Sequence, residues 1–150
     1  MTHCDIIIKL FDGVYLLANC CSDGYISNGV GGGVGDMLLT YYTNEYDIVD
    51  LITTGEFSPL CETAKDTKSD NMGFDNGITG YPVVLKDVDA TEWDIVCGQD
   101  TYNGSPEQHR YLWKDGEWWY TTIGENTDNF LPWKLLKDAK IDKIYNQMLD

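Results

Sequence analysis

Thiols and an imidazole lie near the start of the chain, where they could bind a metal ion. His3 and Cys4 precede one apolar run, and Cys21 follows a second. Because Asp12-Gly13 between the runs predicts a two-residue hairpin turn, an unbroken ladder makes Cys4 the cross-strand neighbour of Cys21. Zinc needs four ligands, and no fourth one stands at a recognisable spacing. We therefore predict buried thiols and no metal site, with a metal or redox site as the alternative.

A run of glycines before a helical pattern is the second stretch that could do chemistry. Bare N–H groups at a helix start can hold an anion. The spacing fits neither a dinucleotide fingerprint, which needs glycine where Val34 stands, nor a Walker loop. Two hypotheses follow: the loop lets backbone pass close to another element, or it binds an anionic ligand. The residues of the second hypothesis are Tyr25, Gly31, Gly32 and Gly33.

Acidic residues dominate the chain, with 25 of them against 10 basic residues and a net charge of −15. This charge argues against direct nucleic-acid binding, because phosphate contacts need a basic surface. The acidity either keeps the protein soluble or imitates the phosphates of DNA toward a basic groove of another protein. The predicted partner-binding acidic edge consists of Asp87, Asp89, Glu92 and Asp94.

A second Asp-Gly turn, at Asp115-Gly116, predicts an aromatic hairpin. Its register follows from the two-residue turn: Lys114 with Glu117, Trp113 with Trp118, Leu112 with Trp119, and Tyr111 with Tyr120. One face then carries Tyr111, Trp113, Trp118 and Tyr120. If exposed, this face is an aromatic platform for proteins or stacked bases. The alternative is that both faces of the hairpin are buried.

Helical patterns lie between the hairpins and at the end of the chain. One helix begins near Asp36 as its N-cap, and a second begins after the capping pair of Asn44 and Asp47 and ends at Gly55. Residues 62–80 are polar and predict a long loop. The tail predicts an amphipathic helix. Its predicted inner face is Trp133, Leu136, Ile141, Ile144, Tyr145 and Met148, and its outer face is Lys134, Lys137, Lys140 and Lys143.

These elements indicate one compact α+β domain over residues 1–150. We expect an antiparallel sheet built from the two Asp-Gly hairpins and the central strands YPVVLK and EWDIVCG. Two short helices and the C-terminal helix should pack on it. The odd number of cysteines, without Cys-x-x-Cys, indicates a reducing compartment. No apolar run has the length of a membrane span, so we expect a soluble cytoplasmic protein.

The order of these motifs resembles a family of small uncharacterised bacteriophage proteins. The resemblance lies in the first Asp-Gly hairpin, Asp23-Gly24-Tyr25, the helix ending in Phe57-Ser58-Pro59-Leu60, and the Tyr-x-Trp-x-Asp-Gly-x-Trp hairpin from Tyr111. It covers residues 5–60 and 109–136. The family's turn reads His-Trp-Asp-Gly-Tyr-Pro, whereas Cys21, Ser22 and Ile26 stand here in place of its His, Trp and Pro. The resemblance implies a phage origin and an α+β fold, and it implies no activity.

We therefore expect a phage-encoded accessory protein, without catalytic residues or a cofactor, that binds and inhibits a host protein. The expected partner is a nucleic-acid-binding enzyme or a defence component, and neither nucleic acid itself nor a membrane. A second hypothesis is a sponge for a small anionic, nucleotide-like signal, bound by the glycine loop and the aromatic hairpin. A third is a structural or interaction protein without an inhibitory role. Catalysis has the least support, because no nucleophile, base and orienting group stand at a telling spacing.

Overall fold

The fold is described from a computed structural model of the chain. For residues 70–71, 83–86 and 144–149 the backbone alone is described. The described residues are 4–11, 14–20, 24–27, 32–53, 60–71, 83–86, 109–122 and 130–149.

Six strands and four helices lie in these described ranges, and they form an α+β fold as the sequence predicts. The strands are β1 (Cys4–Phe11), β2 (Val14–Cys20), β3 (Val83–Lys86), β4 (His109–Lys114), β5 (Glu117–Thr122) and β6 (Lys134–Leu135). The helices are α1 (Val34–Tyr41), α2 (Glu45–Ile52), α3 (Ala64–Asn71) and α4 (Leu136–Leu149).

The strands form one sheet in the order β3-β2-β1-β4-β5-β6. Each predicted hairpin is present, and the two hairpins lie side by side. The sheet is mostly antiparallel, but β1 and β4 are parallel where the hairpins meet, with Cys4 opposite His109 and Ile8 opposite Trp113. The sheet is therefore mixed, a detail that hairpin turns alone do not predict. The predicted strand YPVVLK is confirmed by β3, while EWDIVCG lies outside the described residues.

The second hairpin has the predicted register, from Lys114 opposite Glu117 to Tyr111 opposite Tyr120. Asp115 and Gly116 have φ angles of 53° and 76°. Positive φ at both central residues is the geometry of the two-residue turn whose twist matches that of the strands. The Asp-Gly pair therefore fixes this ladder, as the sequence predicts.

The first hairpin departs from the predicted register by one residue. Phe11 lies opposite Val14 as expected, but a bulge follows and Lys9 lies opposite Tyr15. The predicted pair of Cys4 with Cys21 is therefore wrong, and Cys4 pairs with Cys20. A one-residue shift moves every side chain of a strand to the other face.

The physical reason for the bulge is the polarity of Asn19. In the shifted register Asn19 lies beside Asp5, and Ala18 instead of Asn19 lies opposite Ile6 in the core. The extra residue of the bulge is Leu10, which is 41% exposed. The bulge therefore keeps a polar side chain off the apolar face that the helices cover.

All four helices contribute to one hydrophobic core on one face of the sheet. Val34, Leu38, Ile48 and Leu51 from α1 and α2 belong to it, with Ala64 of α3 and Leu136 and Ala139 of α4. A smaller cluster lies on the opposite face, formed by Ile7, Tyr15, Leu17 and Leu112 with Trp119 and Trp133 against it. The predicted layer of helices on one face is confirmed for the described residues.

Helix boundaries agree with the sequence in part. The predicted capping pair of α2 is confirmed, because the Asn44 side chain accepts a hydrogen bond from the Asp47 N–H at 3.0 Å. Helix α2 ends at Ile52 with Thr53 as its C-cap, and Gly55 lies outside the described residues. The predicted loop over 62–80 is wrong at its start, where α3 forms. Thr63 caps that helix by accepting from the Asp66 N–H at 3.0 Å.

Helix α4 packs on a different face from the predicted one. Leu136 and Ala139 are buried, whereas Ile141 is 63% exposed. Lys140 and Lys143 point inward with them, at the helical spacing of three and four residues. The pattern of apolar residues did not predict this face, because two of the residues on it are lysines. Lys140 and Lys143 bind specific partners, which are described below. The side chains of Ile144, Tyr145 and Met148 lie outside the described set.

Asp5 and Arg110 form a fully buried ion pair at the parallel junction. They are register partners in β1 and β4, their Oδ2 and Nε atoms are 3.7 Å apart, and both side chains are 0% exposed. The Arg110 guanidinium also stacks 3.5 Å from the centre of the Phe130 ring. Because removing one partner of such a pair leaves an uncompensated charge in the interior, the pair constrains how β1 and β4 meet.

None of the helices in the described ranges has both the length and the apolar character that crossing a bilayer requires.

Asp5→Asn should lower the free energy of unfolding by about 3–5 kcal/mol, because it removes the negative charge that lies 3.7 Å from the buried Arg110 guanidinium. Urea denaturation followed by tryptophan fluorescence measures the change. The control is Asp142→Asn, which breaks the mostly exposed pair with Lys134 at 3.5 Å and should cost less than about 1 kcal/mol. Equal losses in the two variants would contradict the assigned role of Asp5.

Candidate functional site

Residues 24–27 connect the first hairpin to the helices, and all four of their carbonyl groups accept hydrogen bonds. The donors come from three different elements, β4, α1 and α4. The bonds are Tyr111 Oη to Gly24 O at 2.6 Å, Gly35 N to Tyr25 O at 3.4 Å, Asp36 N to Ile26 O at 2.8 Å, and Lys143 Nζ to Ser27 O at 2.9 Å. A segment without regular structure is thus satisfied by specific partners, as buried backbone must be.

Two glycines of the predicted loop let this segment approach α1. A Cβ atom at Gly33 would lie 2.6 Å from the Ile26 carbonyl oxygen, and one at Gly35 would lie 2.8 Å from Ile26 Cα. Real Cβ atoms do not approach backbone so closely. The hypothesis that the glycines allow backbone to pass near another element is therefore supported at these two positions.

The predicted anion site has less support from its surroundings. In the first turn of α1, the N–H groups of Gly35 and Asp36 already donate to the segment. The N-cap is Gly33 instead of Asp36. Asp36 is 5% exposed, and its Oδ1 lies 2.6 Å from Lys140 Nζ. A carboxylate with its own cation therefore occupies the place where a phosphate would bind.

Three of the four residues predicted to hold an anion are described, and these three do not form one open site. Tyr25 is half-buried, and the Lys143 ammonium lies 5.6 Å from the centre of its ring. Gly32 is exposed and Gly33 is buried. Gly31 lies outside the described residues.

The predicted aromatic platform is part of the core, so its interpretation as an exposed surface is wrong. Tyr111, Trp113, Trp118 and Tyr120 are 0%, 7%, 4% and 5% exposed. Apolar residues of the helices cover this face, and the Trp118 indole N–H donates to the carbonyl of Tyr42, the C-cap residue of α1, at 2.8 Å. Trp113 and Trp118 pack edge to face with ring centres 5.4 Å apart. The alternative of a buried hairpin is therefore the better one.

A row of four side chains crosses the sheet at its end beside this segment. Cys20, Cys4, His109 and Thr122 lie opposite one another on β2, β1, β4 and β5. Successive strands are about 4.8 Å apart, so the row is a line and its ends are too far apart for a shared ion. The described residues contain no group of three or more His, Cys, Asp or Glu side chains that could hold a metal. His3 and Cys21 lie outside them.

His109 is a largely buried imidazole in this row. Its Nδ1 lies 2.7 Å from the Tyr120 hydroxyl, and their rings stack with centres 5.8 Å apart. Burial lowers the pKa of His109 to about 4, and the positive charge of Lys143 contributes. Burial also raises the pKa of Tyr120 to about 12. Both groups are therefore neutral near pH 7. The pair is suited to a hydrogen bond between neutral groups and not to proton transfer.

The outer face of α2 carries acidic residues that the sequence predicts only as part of a helix. Glu45, Asp47 and Asp50 are exposed around Tyr46, which is 90% exposed. The described residues along this face line a groove of about 670 Å³: Glu45, Tyr46, Asp47, Val49, Asp50 and Thr53. We call these six residues the α2 surface. In the sequence, the only sign of this surface was the alternation of acidic and aromatic residues directly after Asn44.

The predicted acidic edge of Asp87, Asp89, Glu92 and Asp94 lies outside the described residues. Its role in binding a partner therefore stays a prediction.

Comparison of the chain with protein families, with curated proteins and with solved structures finds no match. The fold and the α2 surface define an acidic α+β protein, and the arguments for its function come from these residues.

Gly33→Ala should lower the free energy of unfolding by about 1–3 kcal/mol, because the added methyl group must displace the backbone of Ile26. Chemical denaturation measures the loss. Thr40→Ala is the matched control, since Thr40 is exposed on the same helix and alanine is the better helix former. A Gly33→Ala variant as stable as the wild type would contradict the close approach.

His109 should make the protein less stable as the pH falls from about 6.5 to about 4. In this range the unfolded chain binds a proton at His109 while the folded chain, with its lowered pKa, does not, so protonation favours unfolding. The loss is at most about 3 kcal/mol from a shift of this size. Denaturation curves at several pH values measure it, and His109→Gln should flatten this part of the profile. Parallel profiles for wild type and variant would contradict the assignment.

Proposed function

We propose that this protein is a phage-encoded, non-catalytic binding protein that inhibits a basic, nucleic-acid-binding host protein through the α2 surface. The single observation that carries the proposal is the nearly full exposure of Tyr46 among carboxylates on one helix face. Tyrosine is one of the residue types enriched among the anchors of protein interfaces. The carboxylates around it select a partner of opposite charge.

The position of these residues on α2 favours recognition over a structural role. Ile48, Leu51 and Ile52 face the core and are fully buried. At 100° per residue, Tyr46 and Asp50 lie one turn apart on the opposite side, with Glu45 and Asp47 flanking them. The helix is thus held by one face and presents the other, with no cation among its eight residues.

The surrounding sequence supplies no basic residue that would neutralise this face locally. Lys9 and Lys65 are consecutive basic residues of the chain, so the whole of α1 and α2 lies in a stretch without Lys or Arg. The pKa of Tyr41, at the end of α1, is raised chiefly by the negative charge of Glu62. The carboxylates of the α2 surface would attract a basic protein surface and speed association.

A nucleic-acid-binding protein is the partner class that best fits these features. Its groove is lined by Lys and Arg for phosphate contacts and often by side chains that stack on bases. The carboxylates of the α2 surface would occupy the phosphate positions, and the Tyr46 ring would offer a stacking face. The phage origin rests on the motif resemblance, and the acidic edge of Asp87, Asp89, Glu92 and Asp94 is a second candidate for contacting the basic partner.

The capture of a nucleotide has less support. The first-turn N–H groups of Gly35 and Asp36 are already bonded within the protein, and the aromatic hairpin is buried. These two N–H groups and the described residues of the aromatic face are therefore not open to a ligand.

Reversing the charge of the α2 surface should abolish binding to the host partner. The variant is Glu45→Lys with Asp50→Lys, which leaves the Asn44–Asp47 cap intact. We expect the partner recovered by wild-type protein from a bacterial lysate to be lost, and its binding to wild type to weaken steeply with salt and to be competed by duplex DNA. Pull-down with mass spectrometry, followed by titration of the identified protein, measures this.

Two matched variants make the experiment decisive. Asp138→Lys with Asp142→Lys changes the net charge equally on the exposed face of α4 and should retain the partner. Tyr46→Ala tests the aromatic anchor and should weaken binding at least tenfold, as the loss of an interface hot spot does. If both charge-reversed variants lose the partner equally, net charge alone explains binding, and the α2 surface has no specific role. Full retention by Glu45→Lys with Asp50→Lys, or binding insensitive to salt, would exclude the α2 surface.

A further inference from the structure

Two thiols lie side by side at the end of the first hairpin. Cys4 is the first residue of β1, Cys20 is the last of β2, and the two are direct register partners. Both carry thiols, and both are 0% exposed within the core on the helix-covered face. Their side chains therefore point to the same side of the sheet from adjacent strands.

We propose that Cys4 and Cys20 are a redox modification site, at which a small-molecule disulfide such as oxidised glutathione introduces a reversible cross-strand disulfide. Directly opposed residues of an antiparallel pair have Cα atoms about 4.5–5.5 Å apart. This separation lies within the range of about 4.4–6.8 Å that disulfides span. The bond therefore forms without a change in strand pairing. This inference is independent of the proposed function.

The surroundings of the pair favour one partner for each thiol. Cys61 lies elsewhere, where its N–H bonds the Thr67 hydroxyl at 3.0 Å and its carbonyl bonds Tyr42. Across β1 from Cys20, the neighbour of Cys4 is His109, which cannot form a disulfide. Among the described cysteines, only Cys20 is thus adjacent to Cys4.

The reaction is two successive thiol–disulfide exchanges. One cysteine thiolate attacks a sulfur of oxidised glutathione, a mixed disulfide forms, and one glutathione thiolate leaves. The other cysteine thiolate then attacks the protein sulfur of the mixed disulfide and releases the second glutathione. The protein loses two electrons and two protons, and one oxidised glutathione becomes two reduced ones. Burial requires a local opening first, and ends of strands open at lower free energy than their centres.

The location of the bond determines its effect. Cys20 precedes the connection to residues 24–27, and Cys4 lies next to β4 at the parallel junction. A covalent link here prevents β1 and β2 from separating at their open end. Amide hydrogen exchange of β1 and β2 should therefore be slower in the oxidised protein than in the reduced one.

The test uses the intact chain in a native glutathione redox buffer, with mass spectrometry as the readout. We expect a loss of about 2 Da that dithiothreitol reverses, as for one disulfide formed. Cys21→Ser should retain the loss, while Cys4→Ser and Cys20→Ser should abolish it. Fragmentation of the cross-linked wild-type peptide between residues 20 and 21 gives the same answer if a serine variant fails to fold.

Three results would overturn the proposal. A link that Cys21→Ser removes and Cys20→Ser retains would assign the bond to Cys4 and Cys21, the pair of an unbulged hairpin. Stable glutathione adducts without the loss of 2 Da would show that the second protein thiolate cannot reach the mixed disulfide of the first. A link that forms only in urea would belong to the unfolded chain.

Discussion

The parallel contact between β1 and β4 is the constraint on which this structure depends. Each hairpin pairs strands that are adjacent in the sequence, but neither alone builds a core. At their junction Asp5 and Arg110 are fully buried opposite each other. A misaligned pairing would leave either charge in an apolar interior without its partner, at a cost comparable with a large part of the stability of a typical domain. The pair therefore favours one register for the contact between β1 and β4.

The helices depend on the same junction through residues 24–27. Tyr111 of β4 bonds the first carbonyl of this segment, and α1 and α4 bond the following three. Strand, helix and C-terminal helix thus converge on four consecutive peptide groups. This explains why α4 turns two lysines inward: Lys140 reaches Asp36, and Lys143 reaches Ser27. Specific polar partners, and not an apolar stripe alone, set the orientation of that helix.

Local signals in the sequence predicted local structure well. Asp115-Gly116 specified a complete ladder, and Asn44 with Asp47 specified the start of α2. The failures share one cause, which is that burial in the tertiary structure, and not a turn or capping signal, decided the outcome. Asn19 was excluded from the core and shifted the first hairpin by one residue. Thr67 is buried against the Cys61 backbone, and so it stabilises a helix whose polar sequence resembles a loop.

The candidate site shows the same division between local and long-range information. An aromatic face is visible in the sequence, but whether helices or solvent cover it depends on Tyr42 and its carbonyl, which bonds Trp118 from far along the chain. The exposure of Tyr46 likewise follows from which side of α2 meets the sheet. Charge, in contrast, is additive, so the acidity of the chain was evident from composition.

The parallel pair also governs when the chain can fold during synthesis. Cys4 meets His109 only after nearly three quarters of the chain has been translated. Until then the first hairpin can close, but Ile6, Ile7 and Ile8 remain on a strand with an open hydrogen-bonding edge, the arrangement that invites association between chains. The completion of the sheet is therefore a late, high-contact-order event. Acidic residues along the early part of the chain give the growing polypeptide mutual repulsion during that interval.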